Sequence, residues 1–132
     1  MAWNETRTTV VGRIMSDVRT RTTTDGQPMA FFGLISSSRK YDQATGTWVD
    51  ASKIVLSVKC FRRLAENVAA ALRKGDPVVV TGRLSTAQFE IGGQLREEIE
   101  LEASCIGPDL SLCEADLRRA DKAAEPVGAV AA

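Results

Sequence analysis

The side chains best equipped for chemistry in this sequence are flat rings set beside cations. In Lys53-Ile54-Val55-Leu56-Ser57-Val58-Lys59-Cys60-Phe61, alternation puts Ile54, Leu56, Val58 and Cys60 on one side of an extended segment. Lys53, Val55, Ser57, Lys59 and Phe61 fall on the other. The first side suits a protein interior. The second offers a ring and two ammonium groups to solvent, a pairing that can lie flat against an aromatic base while holding a phosphate. Met29 to Ser36 repeats the pattern, with Ala30, Phe32 and Leu34 inward and Phe31 and Ile35 outward. In the stretch 77–86, Val80, Gly82 and Leu84 face in and Thr81, Arg83 and Ser85 face out. Phe89 precedes Gly92-Gly93 at a hairpin, where a ring can fold over a ligand. Arg39, Lys40, Tyr41 and Trp48 lie in a polar connection between Ser36 and Asp50. Plainer roles stand beside these: Phe61 plugging the end of a core, Phe31 packing against another subunit, Trp48 anchoring a loop, and the cations as ordinary surface charge.

Catalysis finds little support. The chain has no histidine, so the usual nucleophile and base pairings cannot be built. Glu98, Glu100 and Glu102 form a carboxylate row, but alternation assigns them to a solvated strand face, with Ile99, Leu101 and Ala103 opposite. There is no glycine loop of the phosphate-cradling type. Cys60, Cys105 and Cys113 are an odd number without a CxxC pair, which reads as free thiols rather than disulfides or a zinc site. The expectation is a binding protein that is not an enzyme and needs neither metal nor cofactor.

The elements that must position the rings are mostly strands. Thr8 to Gly12, Arg19 to Thr24 closed by Asp25-Gly26, Met29 to Ser36 with a bend or bulge at Gly33, and Lys53 to Cys60 all read as extended. The period then changes. Leu64, Val68 and Leu72 recur every four residues, giving a helix whose last turn carries Arg73 and Lys74 and which stops at Gly75. Pro77 to Thr86 and Leu95 to Ile106 are strands again, joined through Gly92-Gly93. The expected fold is all-β: a five-stranded oligonucleotide-binding barrel with one helix between its third and fourth strands. It spans residues 1–110, with 111–132 as an alanine-rich mobile tail.

Charge is uneven along the chain. Residues 1–96 hold 14 Lys/Arg against 8 Asp/Glu, and residues 97–132 hold 3 against 9. A cationic surface followed by an acidic strand and tail fits this division, and so do two plainly solvated faces. No apolar run approaches the ~18 residues of a membrane span, and the first residues carry no apolar export segment, so a cytoplasmic location is expected.

Taken in order, these stretches resemble the bacterial single-stranded DNA-binding (SSB) family over about residues 4–110. The resemblance is carried by Thr9-Val10-Val11-Gly12-Arg13 with Asp17, Arg21 before Asp25-Gly26, and Tyr41-Asp42-Gln43-Ala44-Thr45-Gly46. Further matches are Phe61-Arg62-Arg63-Leu64-Ala65-Glu66-Asn67-Val68, Leu72-Arg73-Lys74-Gly75, Val80-Thr81-Gly82-Arg83-Leu84 and Ile106-Gly107-Pro108. The resemblance implies a homotetramer that wraps single-stranded DNA without sequence preference, nucleoid-associated, in replication, repair or recombination. It places stacking rings at Phe61 and Phe89 and phosphate contacts at Arg7, Arg21, Arg63 and Lys74.

The chain also departs from the family. Lys40 and Val55 stand where many members have tryptophan, and Ser85, Thr86, Ala87 and Gln88 replace a basic cluster. Each lost stack is worth roughly 1–3 kcal/mol, so weaker binding than in a typical member is expected, with Phe31, Tyr41 and Trp48 compensating in part. The ending Glu125-Pro126-Val127-Gly128-Ala129-Val130-Ala131-Ala132 lacks the family's acidic aromatic tip. This implies an accessory paralogue that does not recruit the usual replication partners through its tail. The competing reading is an oligomerising protein-interaction module on the same fold with little DNA binding.

Overall fold

A computed structural model describes residues 4–119. Two long antiparallel hairpins dominate it. One pairs β3 (Pro28–Asp42) with β4 (Thr47–Phe61), and the other pairs β5 (Pro77–Ile91) with β6 (Gln94–Pro108). The strand β1 (Arg7–Ile14) lies along β5, β4 runs parallel to β6, and the short β2 (Arg19–Thr22) borders β3. The end of β1 also bonds to β3, through Arg13 opposite Ile35 and Ile14 opposite Leu34. Five strands thus close into a ring, and β2 is an additional short strand on its outside edge.

Apolar side chains of alternating residues fill the ring. Ala30, Phe32 and Leu34 meet Leu56, Val58 and Cys60, with Ile14, Val78, Val80, Leu101 and Ala103 completing the core. Truncating one of the larger of these to alanine costs ~2–5 kcal/mol, because the removed contacts leave a cavity. The helix α1 (Arg62–Ala71) caps one end, burying Ala65 and Val68 and packing Leu64 and the following Leu72 against the same cluster. It stops one turn earlier than its apolar spacing suggests. Arg73 and Lys74 therefore lie beyond the helix, in a turn where the Asp76 carboxylate accepts the Arg73 N–H at 2.8 Å. That turn is bonded to the end of β1 on both sides: Gly75 N–H donates to the Ile14 carbonyl at 2.7 Å, and Ile14 N–H to that of Asp76 at 3.0 Å.

Several sequence expectations are revised. The segment 36–50 is no polar connection, because both strands of its hairpin continue to a turn over residues 43–46. This arm projects beyond the core, so neither of its faces is buried and no apolar alternation marks it. Ile54, read as interior, sits at the base of the arm and is 40% exposed. Ile99 holds the matching place on β6 at 37%. Gly33 makes no bulge: its pairing with Ser57 is regular, and its missing side chain leaves room for Met15, whose N–H donates to the Gly33 carbonyl at 2.9 Å. Past β6, residues 109–112 turn back against the ring. Asp109 N–H bonds to the Pro77 carbonyl at 2.9 Å, and Leu112 lines a shallow groove with Val11 and Ile35. The remaining tail expectations concern residues 120–132, which lie outside the described residues.

Closure of the ring rests on two close approaches. A side chain at Gly82 would drive into the backbone of Glu102 and Ala103, and one at Gly12 into the Ile35 carbonyl. Gly82→Ala is expected to cost about 2 kcal/mol or more in urea unfolding, since backbone on both strands must move to admit a methyl group. A change under half that would show the approach to be loose.

Candidate nucleic-acid interface

The outward face is set by pairing. Arg19, Phe31 and Lys59 are lateral neighbours across β2, β3 and β4, and Arg21, Met29 and Phe61 form the next row. The Arg21 guanidinium lies 5.2 Å from the centre of the Phe31 ring, a cation–π contact that fixes both groups on this face. Phe61 is half-buried at the junction of β4 and α1, where its backbone is still extended and leads into Arg62 at φ +61°. Arg63, one residue into the helix, is exposed beside it.

Farther along the hairpin, one irregularity matters. Ser38 pairs with Ser52 but Arg39 pairs with Asp50, so Ala51 is an extra residue on β4. This bulge reverses the alternation of β4. Without it Trp48 would share the side of Leu56 and Val58. With it, Trp48 lies opposite Tyr41 and continues the side of Phe31 and Lys59. The two rings meet edge to face, 5.6 Å between centres and 70° between planes, both more than half exposed. Neither is in a loop; each is on a strand. Arg39 is on the same side and bridges to Asp50 at 3.3 Å, while Lys40, opposite Val49, is on the reverse side of the arm.

The other expected residues are more scattered. Lys59 faces outward as expected, but its ammonium is held by Glu100 of β6 at 3.0 Å. Glu100 and Glu102 are therefore engaged groups, Glu102 bonding Arg83 at 2.7 Å, and not a freely solvated row. Arg7 is on β1, remote from the β2–β3–β4 face, bonded to Glu5 and to the Ser104 hydroxyl, each at 2.9 Å. Lys74 is exposed in the turn after α1. Phe89 is 38% exposed on β5, two residues before that strand ends, and lies directly opposite Arg96.

Sequence reading missed two cations. Arg19 shares a side of β2 with Arg21, and that spacing of two was legible. Arg96 is found by counting pairs outward from Gly92-Gly93, which sets it against Phe89.

The thiols take no part in this face. Burial pushes Cys60 up to about 11, and Cys105 is exposed on β6 opposite Thr81. No group of His, Cys, Asp and Glu among the described residues is arranged to hold a metal ion.

A closed one-helix ring with rings and guanidinium groups on its outer wall defines a small oligonucleotide-binding class of β protein. The sequence model of the single-strand binding protein family matches residues 5–108, so the chain belongs to that family. A single-stranded DNA-binding protein of Corynebacterium glutamicum is 40% identical over 120 residues, 90% of this chain and 53% of that protein. The chain therefore spans about half the length of that relative. One from Paenarthrobacter aurescens is 38% identical over 119 residues and is covered to 70%. Among solved structures, the small single-stranded DNA-binding protein of Streptomyces coelicolor superposes with a TM-score of 0.76 at 32% identity, covering 84% of this chain and 100% of that one. The second single-stranded DNA-binding protein of Mycobacterium smegmatis gives 0.69 at 33% identity, covering 87% and 99%.

Cysteine reactivity tests the placement of core and surface. A thiol-specific alkylating reagent at pH 8 is expected to label Cys105 rapidly and Cys60 only on unfolding, because Cys60 is enclosed and fully protonated. Peptide mass mapping reads the result, and native labelling of Cys60 would contradict the packing.

Proposed function

We propose that this protein binds single-stranded DNA, without strong sequence preference, along the outer face of β2, β3 and β4. The observation that carries the reading is the set of rings on that face: Phe31 beneath Arg21, Phe61 at the end of β4, and the Tyr41–Trp48 pair brought round by the bulge at Ala51. Every base has a flat face, so such rings hold a strand whatever its sequence, and cations between them take the phosphates. The phosphate contacts are Arg19, Arg21 and Arg63 on this face and Arg39 on the arm, while Lys40, on the reverse side of the arm, meets only a strand that passes round its edge. Phe89 with Arg96 closes over the strand from the second hairpin. Arg7 and Lys74 lie farther off and meet the strand where it leaves one subunit for the next.

The unit of binding is residues 1–110. The chain assembles as a homotetramer, a reading supported by the half-exposed Val11 and Val55 on outward strand faces. It serves replication, repair or recombination as an accessory member of its family, and its role is binding, not catalysis. The same exposed apolar residues favour a second reading, an oligomerising module that has largely given up DNA.

A fluorescence titration with poly-dT over a range of salt concentrations separates the two. Binding is expected to weaken steeply with salt, with a log–log slope of about −0.7 for each phosphate neutralised. Phe61→Ala, Phe31→Ala and Trp48→Ala are each expected to cost ~1–3 kcal/mol of affinity. Salt-independent or undetectable binding would leave the interaction module. Light scattering is expected to return four times the 14.2 kDa chain mass, and a monomer would defeat the assembly.

A further inference from the structure

The carboxylates of β6 stand between two groups of cations, and this arrangement bears on where a bound strand can run. Around the outer wall, one continuous row of paired residues reads Arg19, Phe31, Lys59, Glu102, Arg83, Arg7, from β2 through β3, β4, β6 and β5 to β1. Five of these six are charged. The one acidic position separates Arg19 and Lys59 on one side from Arg83 and Arg7 on the other. Glu100, one outward position along β6 and in register with Ser57, reaches back to Lys59, while Glu102 takes Arg83. The flanking outward residues Ser57 and Ser85 are short, so the two partly exposed carboxylates are the charged groups a ligand meets on crossing β6 here.

Resting on the proposed DNA-binding reading, we infer that Glu100 and Glu102 form an acidic border that keeps the strand from crossing the middle of β6 and withholds Lys59 from phosphate. The physical reason is competition for one ammonium. Glu100 occupies Lys59 at 3.0 Å, and both side chains are about three-quarters buried, at 27% and 23% exposure. That geometry is held by the ladder, and it loses less to water and salt than an exposed pair would. A phosphate approaching Lys59 would have to displace a carboxylate already in place and then rest beside it, like charge against like. Arg19 and Arg21 face no such rival, having no ion pair among the described residues. The strand is thus drawn to β2 and β3 and turned away from the middle of β6, where Glu100 and Glu102 stand. Glu100 is a specificity-determining residue in this account. It acts by removing the Lys59 cation from the site.

A mutant cycle tests this on the intact chain with poly-dT. Glu100→Gln keeps the shape of the side chain and removes its charge. It is expected to tighten binding about threefold or more at low salt and to steepen the salt slope by about 0.7, the signature of one added phosphate contact. Lys59→Gln alone is expected to leave affinity and slope nearly unchanged, and added to Glu100→Gln it is expected to abolish the gain. Glu98→Gln, the same charge change on the same strand face with no paired cation among the described residues, is expected to have a much smaller effect on slope. A gain that survives Lys59→Gln, or an equal gain from Glu98→Gln, would overturn the border in favour of simple long-range charge. A salt slope shallower by about 0.7 in Lys59→Gln alone would overturn it too, by showing Lys59 already on phosphate. Failure of the wild-type chain to bind poly-dT would instead defeat the function itself.

Discussion

The backbone ladder between β3 and β4 decides what this protein can present to a ligand. Closing the ring commits one side of every strand to the core, and the register then leaves each remaining side chain no choice of face. Phe31 and Lys59 are outward because Ala30, Phe32, Val58 and Cys60 are inward. Phe61 ends the same side at the helix junction, so the face runs the full length of the hairpin. The extra residue at Ala51 extends it onto the arm by reversing the alternation where the core no longer dictates it. A single inserted residue thus joins two pairs of rings into one track.

Electrostatics alone would not single out this face. The chain has no net charge, and four of its cations are held in ion pairs among the described residues. What distinguishes the β2–β3–β4 side is that rings and uncommitted guanidinium groups occur there together. On the proposed reading, stacking would supply attraction that salt does not screen, and the arginines would add phosphate contacts that salt weakens. The division of labour suits a protein that must hold any sequence and let it go.

Most of the ring was legible from residues. Alternation in 29–36 and 53–60 found the core strands, and the change of period at Arg62 found the helix. The glycine pair at 92–93 found the second turn. What escaped has a common physical origin. The arms carry no buried side, so hydrophobic pattern says nothing about them, and 36–50 passes for a loop. The bulge at Ala51 has no glycine to announce it, and without the bulge Trp48 cannot be placed. Lys59 was correctly turned outward, yet its engagement with Glu100 depends on the parallel pairing of β4 with β6, strands about 40 residues apart in sequence, which no local pattern reveals.

On the proposed reading, unpaired bases lie on the outer side of the β3–β4 hairpin. Ultraviolet cross-linking of oligo-dT to the protein, followed by peptide mass mapping, reads that location directly. Adducts are expected on Phe31, Phe61 and Trp48 or Tyr41, with the outer face of β1 unmarked. Adducts confined to β1, Val79 of β5 and Cys105 of β6, with the hairpin clean, would contradict the account.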